Sequence, residues 1–222
     1  MNLMEPVGIK LQAVYDSAAY NSLPSLRTAA NLVDENALYH LRGPIRQLFL
    51  DHKIHERFGV ALLHKHFSID ESERIVEYYH SSTAWKVDHQ GHSAPQYAGL
   101  IVPRSFRLYH GSIAPYEFGY SNSMVVPSLD HDFLKKAFEM FKQYGLDQTF
   151  GLRCVDKRVS DLSIEVTEGK TNIMLPRNSA PLSELIEALW VFGDDNEDDD
   201  RCHCREHCWP NKGDHDKDHS CG

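Results

Sequence analysis

The sequence predicts an α+β fold: an antiparallel or mixed sheet with covering helices, followed by a low-complexity acidic Cys/His tail. Three observations predict it. Helical periodicity and strand-like runs both occur, without strict βαβ alternation. Hydrophobic residues make up 41% of the 222 residues, enough for a substantial core. Charge is uneven, because residues 194–222 hold 10 of the 32 acids and only 4 of the 23 bases, and contain no Val, Ile, Leu, Met, Phe or Ala. Apart from Trp209 and four cysteines, such a segment has no apolar side chains with which to build a core. A boundary is therefore expected near Gly193, between a globular domain at 1–193 and an acidic Cys/His-rich metal-binding tail at 194–222.

The elements follow in order. Residues 8–15 alternate well enough for a first strand. Leu26, Ala30, Val33 and Ala37 recur at spacings of four, three and four, the pattern of an amphipathic helix over 25–41. Gly43-Pro44 is expected to interrupt it, with proline in the first turn of a second helix carrying Ile45, Leu48 and Phe49. Leu134, Ala137, Phe138 and Phe141 make the stripe of a third helix that Gly145 ends. A fourth helix is expected over 182–192. Runs rich in β-branched and aromatic residues at 58–67, 74–79, 97–102, 106–110, 149–156, 161–167 and 171–175 read as strands, and the polar segment 80–96 as a loop. Laid without gaps over residues 140–152, residues 48–60 match at Phe49, Phe58 and Gly59. This is either a chance likeness or a pair of helix–hairpin repeats.

The formal net charge of −9 argues against a partner with a phosphate backbone, and no run of about 18 apolar residues marks a membrane span. The N-terminus has neither a basic nor an apolar leader region, so a cytoplasmic, reducing setting is expected. In that setting cysteines interleaved with histidines read as metal ligands. The tail offers Cys202, His203, Cys204, His207, Cys208, His215, His219 and Cys221. This donor set suits Zn²⁺, or Cu(I) where thiolates dominate, although no C-x2-C pair is present.

A second candidate lies in FGVALLHKHF. On a strand, His64 and His66 project to one face and can chelate a single ion, with Glu71, Glu73, Glu77, His55 or Glu56 nearby to complete a site. The structural alternative is a pair of hydrogen-bonded residues at the wet end of a strand. The spacing Gly59-x4-His64-x-His66-x4-Glu71 is similar to the first metal motif of cupins, but it is one residue short, lacks the closing glycine and has no second motif. His80, His89, His92 and His110 read as loop or strand-end residues. Cys154 reads as a buried small hydrophobe, and the run 194–200 as a solvated spacer. No nucleophile elbow, P-loop or dinucleotide fingerprint occurs.

FGVALLHKHFSIDESERIVEYY, TFGLRCVDK, IEVTEGKTNIMLP and the Cys/His-rich terminus together resemble a group of fungal proteins without an assigned activity. The resemblance implies a fungal intracellular protein and carries over no catalytic residue.

Two functional readings remain open. One is a zinc-binding scaffold or interaction module with a protein partner. The other is a metal-dependent enzyme holding an ion on His64 and His66 and acting on a small molecule.

Overall fold

In the computed structural model, residues 10–11, 15–86, 100–121, 130–155, 162–193 and 202–213 are described. The elements are β1 (Lys10–Leu11), α1 (Ala18–Asn21), α2 (Leu26–Ala30), α3 (Glu35–His40), α4 (Arg46–Asp51), β2 (Phe58–Leu62), β3 (Glu73–Tyr78), β4 (Ser81–Lys86), β5 (Leu100–Tyr109), β6 (Ser112–Ser121), α5 (His131–Gln143), β7 (Phe150–Cys154), β8 (Leu162–Glu168), β9 (Thr171–Pro176), β10 (Ile186–Val191) and β11 (His203–Gly213). Ten strands follow one another in the order β6-β3-β4-β9-β8-β11-β10-β2-β7-β5, and β5 pairs back onto β6. The sheet is therefore a closed β-barrel with a few short helices, which corrects the expected α+β sheet with covering helices. The short β1 adds to β6 in parallel. No helix among the described residues is long and apolar enough to cross a membrane.

Local expectations failed where tertiary pairing overrode a short pattern. The helix expected over 182–192 is a single 3-10 turn at Leu182–Glu184 followed by β10, which pairs with both β2 and β11. An apolar run as short as this is ambiguous until partners arrive. The polar segment read as a loop supplies β4, because its Ser82 faces the barrel cavity rather than an apolar core. The helix expected over 25–41 is two, each with its own cap: Ser25 accepts a hydrogen bond from the Thr28 N–H, and Asp34 from the Ala37 N–H. Gly43-Pro44 does not interrupt the chain's winding. It passes through a π-helical turn at Leu41–Ile45, which absorbs the missing proline donor, and runs straight into α4.

The segment expected to be a tail without a core supplies β11, lodged between β8 and β10. It needs little apolar surface because its backbone is paired on both edges. Cys204 packs against the outer core, and Cys208 is fully buried. The sheet thus crosses the expected boundary at Gly193.

The alignment of 48–60 with 140–152 has a geometric counterpart. Ile54 N–H donates to Phe49 C=O and Leu146 N–H to Phe141 C=O, while Phe58 N–H donates to Ile54 C=O and Phe150 N–H to Leu146 C=O. Exchanging β2 through β6 with β7 through β11 preserves the pairings. The β3–β4 and β8–β9 hairpins correspond, as do the parallel β3–β6 and β8–β11 pairs and the antiparallel β5–β7 and β10–β2 pairs. The repeated unit is a five-stranded half-barrel, not a helix–hairpin. Its Phe-Gly has a steric cause. A Cβ on Gly59 would lie 2.7 Å from the Trp190 carbonyl oxygen, and one on Gly151 would lie 2.6 Å from that of Phe106.

The helices α2 to α5 cover one side of the barrel through Leu26, Ala37, Leu41, Phe49, Phe133 and Phe138, which meet Phe58, Val60, Phe106, Leu152 and Trp190 on the outward strand faces. A second cluster, with Tyr20, Leu23, Leu63, Phe67, Ile75 and Tyr116, packs α1 and the segment after β2 against the barrel. Arg107 anchors α1 there by donating to Ala19 C=O at 2.8 Å and to the Ser22 hydroxyl at 3.1 Å.

Candidate functional site

The β2 ladder ends at Leu62. Lys65 then bridges to Ser25 and donates its N–H to Pro24 C=O, so residues 63–67 leave the sheet. Strand alternation no longer applies to His64 and His66. Both are buried rather than at a wet strand end, 7% and 6% exposed, with ring centroids 4.6 Å apart. Both rings approach Glu165, from different partners. His64 Nε2 lies 3.4 Å from Cys208 Sγ, which is 3.8 Å from Glu165 Oε2. His66 Nε2 lies 3.7 Å from Glu117 and 3.8 Å from Glu165. His64, Glu165 and Cys208 form a group whose ligand atoms all lie within 4.8 Å of one another, and His66 is not part of that group. Two of the acids expected to complete a site are taken up by ion pairs. Glu73 pairs with Lys170, and Glu77 with Arg104 and Arg153.

The protonation states follow from burial. His64 Nδ1 meets Leu62 C=O at 2.9 Å, so Nδ1 carries the proton and the Nε2 lone pair faces Cys208. Burial, with the neighbouring His66, pushes the His64 pKa down to about 3 and keeps the ring neutral. Burial holds the Cys208 thiol protonated, well above its ordinary range. Burial also raises Glu165. For His66, burial opposes the charge, but Glu165 and Glu117 more than compensate, and its pKa rises. Glu117, despite burial, is drawn down to about 2 by His66, Arg153 and the Ser105 hydroxyl. Arg153 is half-buried and firmly charged, since Glu206, Glu77, Glu117 and Glu165 surround it.

This polar layer floors a cavity of about 550 Å³ inside the barrel. Arg153, Glu165 and Glu206 line it together with Arg104, Tyr78, Tyr79, His80, Tyr120 and Met174. A smaller void of about 20 Å³ touches His64, His66, Glu117 and Glu165. Glu165, Arg153 and Glu206 belong to both, so the histidine layer and the cavity share a wall.

The remaining candidates are distributed as follows. Cys202 is half-buried against the outer core, His203 is exposed, and Cys204 and His207 lie on β11 near Glu187. His215, His219, Cys221, His89, His92 and the run 194–200 lie outside the described residues. His110 is a turn residue, with φ +48 before Gly111 at +75. Burial pushes the Cys154 thiol up to about 11, as for an inert cysteine. Glu117, Arg153, Glu165 and Glu206 were missed. Arg153 and Glu165 lie in runs read as strands, where a charged residue reads as a solvated face until the barrel closes; Glu117 and Glu206 lie outside those runs.

No family model matches the chain, and neither a curated protein nor a solved structure does.

Proposed function

We propose that the protein is a metal-dependent enzyme acting on a small polar molecule inside the barrel, with Zn²⁺ held by His64 Nε2, Glu165 and Cys208 Sγ. The observation that carries this reading is the spacing of the ligand atoms. Tetrahedral zinc with ordinary Zn–S and Zn–N bonds separates sulfur from nitrogen by about 3.6 Å, and the observed separation is 3.4 Å. The Leu62 carbonyl fixes the tautomer that leaves Nε2 able to ligate, as outer-shell partners do in zinc sites. A set of one thiolate, one imidazole and one carboxylate suits Zn²⁺ better than Cu(I). Three protein ligands leave a fourth position for water or substrate, the arrangement of catalytic zinc sites. The cavity beside Glu165 favours an enzyme over a scaffold, and His66 with Glu117 is placed to hold a proton next to the ion.

Two measurements test this on the full chain prepared without a histidine tag. Replacement of Cys208 by Ser should remove one equivalent of Zn²⁺, and one equivalent of Co²⁺ with its thiolate charge-transfer band. Acetohydroxamate should then change the visible spectrum of the Co²⁺-loaded wild type by entering the open position. Equal metal in wild type and Cys208→Ser would overturn the site. A spectrum indifferent to acetohydroxamate would overturn the catalytic reading.

A further inference from the structure

The outward side of the β10–β11 ladder carries a second set of ligand atoms. Glu187, Cys204 and His207 each offer one, all within 4.8 Å of one another. Regular strands would not place them together. Cys204 and His207 are three residues apart, which in a flat strand means opposite faces. Glu187 stands three residues from Trp190, the partner of Cys204, so the same holds across the ladder. The ladder is irregular at this point, with register shifts between Glu187 and Leu189 and again between Leu189 and Trp190. The irregularity brings the odd-spaced pairs to one side, and Trp190 Nε1 donates to Glu187 Oε2 at 2.9 Å. Bulges of this kind re-aim side chains at functional positions.

An independent observation points to a ligand. His207 is 8% exposed, and its buried Nδ1 has no hydrogen-bond partner among the described residues. Buried polar atoms are normally satisfied, and a ring nitrogen left over beside a thiol and a carboxylate is what a metal ion would satisfy. Glu187 is exposed, so the site opens to solvent and water can complete the coordination.

We infer that Glu187, Cys204 and His207 form a second zinc-type metal site, a clasp joining β10 to β11 on the outside of the barrel. It shares no ligand with the interior cluster. It ties the most polar strand of the barrel to its antiparallel neighbour.

The test is metal stoichiometry of the full chain by elemental analysis and Co²⁺ titration, for wild type, Cys204→Ser, Glu187→Gln and Cys208→Ser. Cys204→Ser should lose one equivalent relative to wild type, and Glu187→Gln should weaken one equivalent at least about 100-fold, since losing an inner ligand exceeds the 10–100-fold typical of outer-shell losses. Glu187 is exposed, so that variant tests the site without endangering the fold. The other cysteines and histidines are present in every variant, so the differences between variants carry the result. Cys204→Ser and Glu187→Gln that both keep the wild-type stoichiometry and affinity would overturn the clasp. Loss of metal in Cys204→Ser but not in Cys208→Ser would uphold the clasp and overturn the interior site, and the reverse pattern would do the opposite.

Discussion

Val60 of β2 lies directly opposite Leu152 of β7, and the two are the same position of the repeat. A local two-fold axis therefore passes between them through the barrel wall. It leaves through the opposite wall between Ser82 and Asn172, which also face each other and follow equivalent hairpins. Each half-barrel thus serves as an internal control for the other, and differences between equivalent positions show where one copy departs from what the backbone alone favours.

The first such difference is Lys53. It ends α4 with φ +53, where its equivalent after α5 is Gly145 with φ +70. A side chain in this region costs about 1–2 kcal/mol, and glycine avoids the cost at some expense in unfolded-state entropy. Lys53→Gly should stabilise the protein by about 0.5–1 kcal/mol, and Gly145→Ala should destabilise it by about 1 kcal/mol. A Cβ at Gly145 meets no atom within 4 Å, so the second effect is conformational rather than steric. Tyr79, at φ +55 where the other copy has Gly169 at +56, should behave as Lys53 does. Urea unfolding of the three variants checks all three signs.

Gly59 and Gly151 should respond differently, because their constraint is space. Their missing side chains let β2 and β7 approach backbone oxygens of β10 and β5. Gly59→Ala and Gly151→Ala should each destabilise by about 1–3 kcal/mol, the range for overpacking against atoms that cannot move aside. Equal losses within about 0.5 kcal/mol are expected for symmetric sites that do not touch. A null effect at either would mean that the strand can shift outward.

Ending the chain after Gly193 should abolish cooperative folding. A boundary at Gly193 would imply the reverse, since residues 194–222 hold no aliphatic residue. Removing β11 opens the barrel between β8 and β10, strips two ladders of their partners and takes away Glu206, one of the carboxylates around Arg153. Loss of near-ultraviolet dichroism and a broad, non-cooperative thermal transition are the expected results. A truncated chain with a sharp transition would show that the remaining strands reclose.

How much was legible in the sequence follows from the same residues. The stripe of Leu134, Ala137, Phe138 and Phe141 gave α5, because four buried residues at helical spacing leave no other reading. The strands β2, β3, β7, β8 and β9 were legible from their β-branched and aromatic runs. Barrel closure was not, because it depends on β5 meeting β6 and on β11 entering the ring, and neither leaves a periodicity. A barrel with a polar interior also inverts the usual inference. Glu117, Arg153 and Glu165 follow buried apolar residues along their strands as solvated residues do, yet they line the polar interior. Of the candidate site, His64 and Cys208 were singled out for their ligand chemistry, but nothing in their separation of 144 residues told that they meet.

The acid limb of stability should report on Glu117. Its carboxyl sits beside His66 and Arg153, accepts a hydrogen bond from the Ser105 hydroxyl at 2.7 Å, and shares His66 with Glu165. Burial opposes its charge, but these partners bring its pKa down to about 2 in the folded protein, against about 4.3 in an unfolded chain. Between those values the unfolded state binds more protons, so folding loses stability as pH falls. The contribution is fully present above about pH 4.3 and disappears as pH drops through about 2. Glu117→Gln removes the charge and leaves Arg153 and His66 less compensated, which should cost about 3 kcal/mol at pH 7. That difference should shrink steadily below pH 4.3, because the unfolded wild-type carboxyl then takes up a proton while the folded one keeps its charge down to about pH 2. Urea unfolding of both proteins at pH 7, 4 and 2.5 measures it. A difference that stays constant across the three would mean that shape and hydrogen bonding, not charge, hold Glu117 in the barrel.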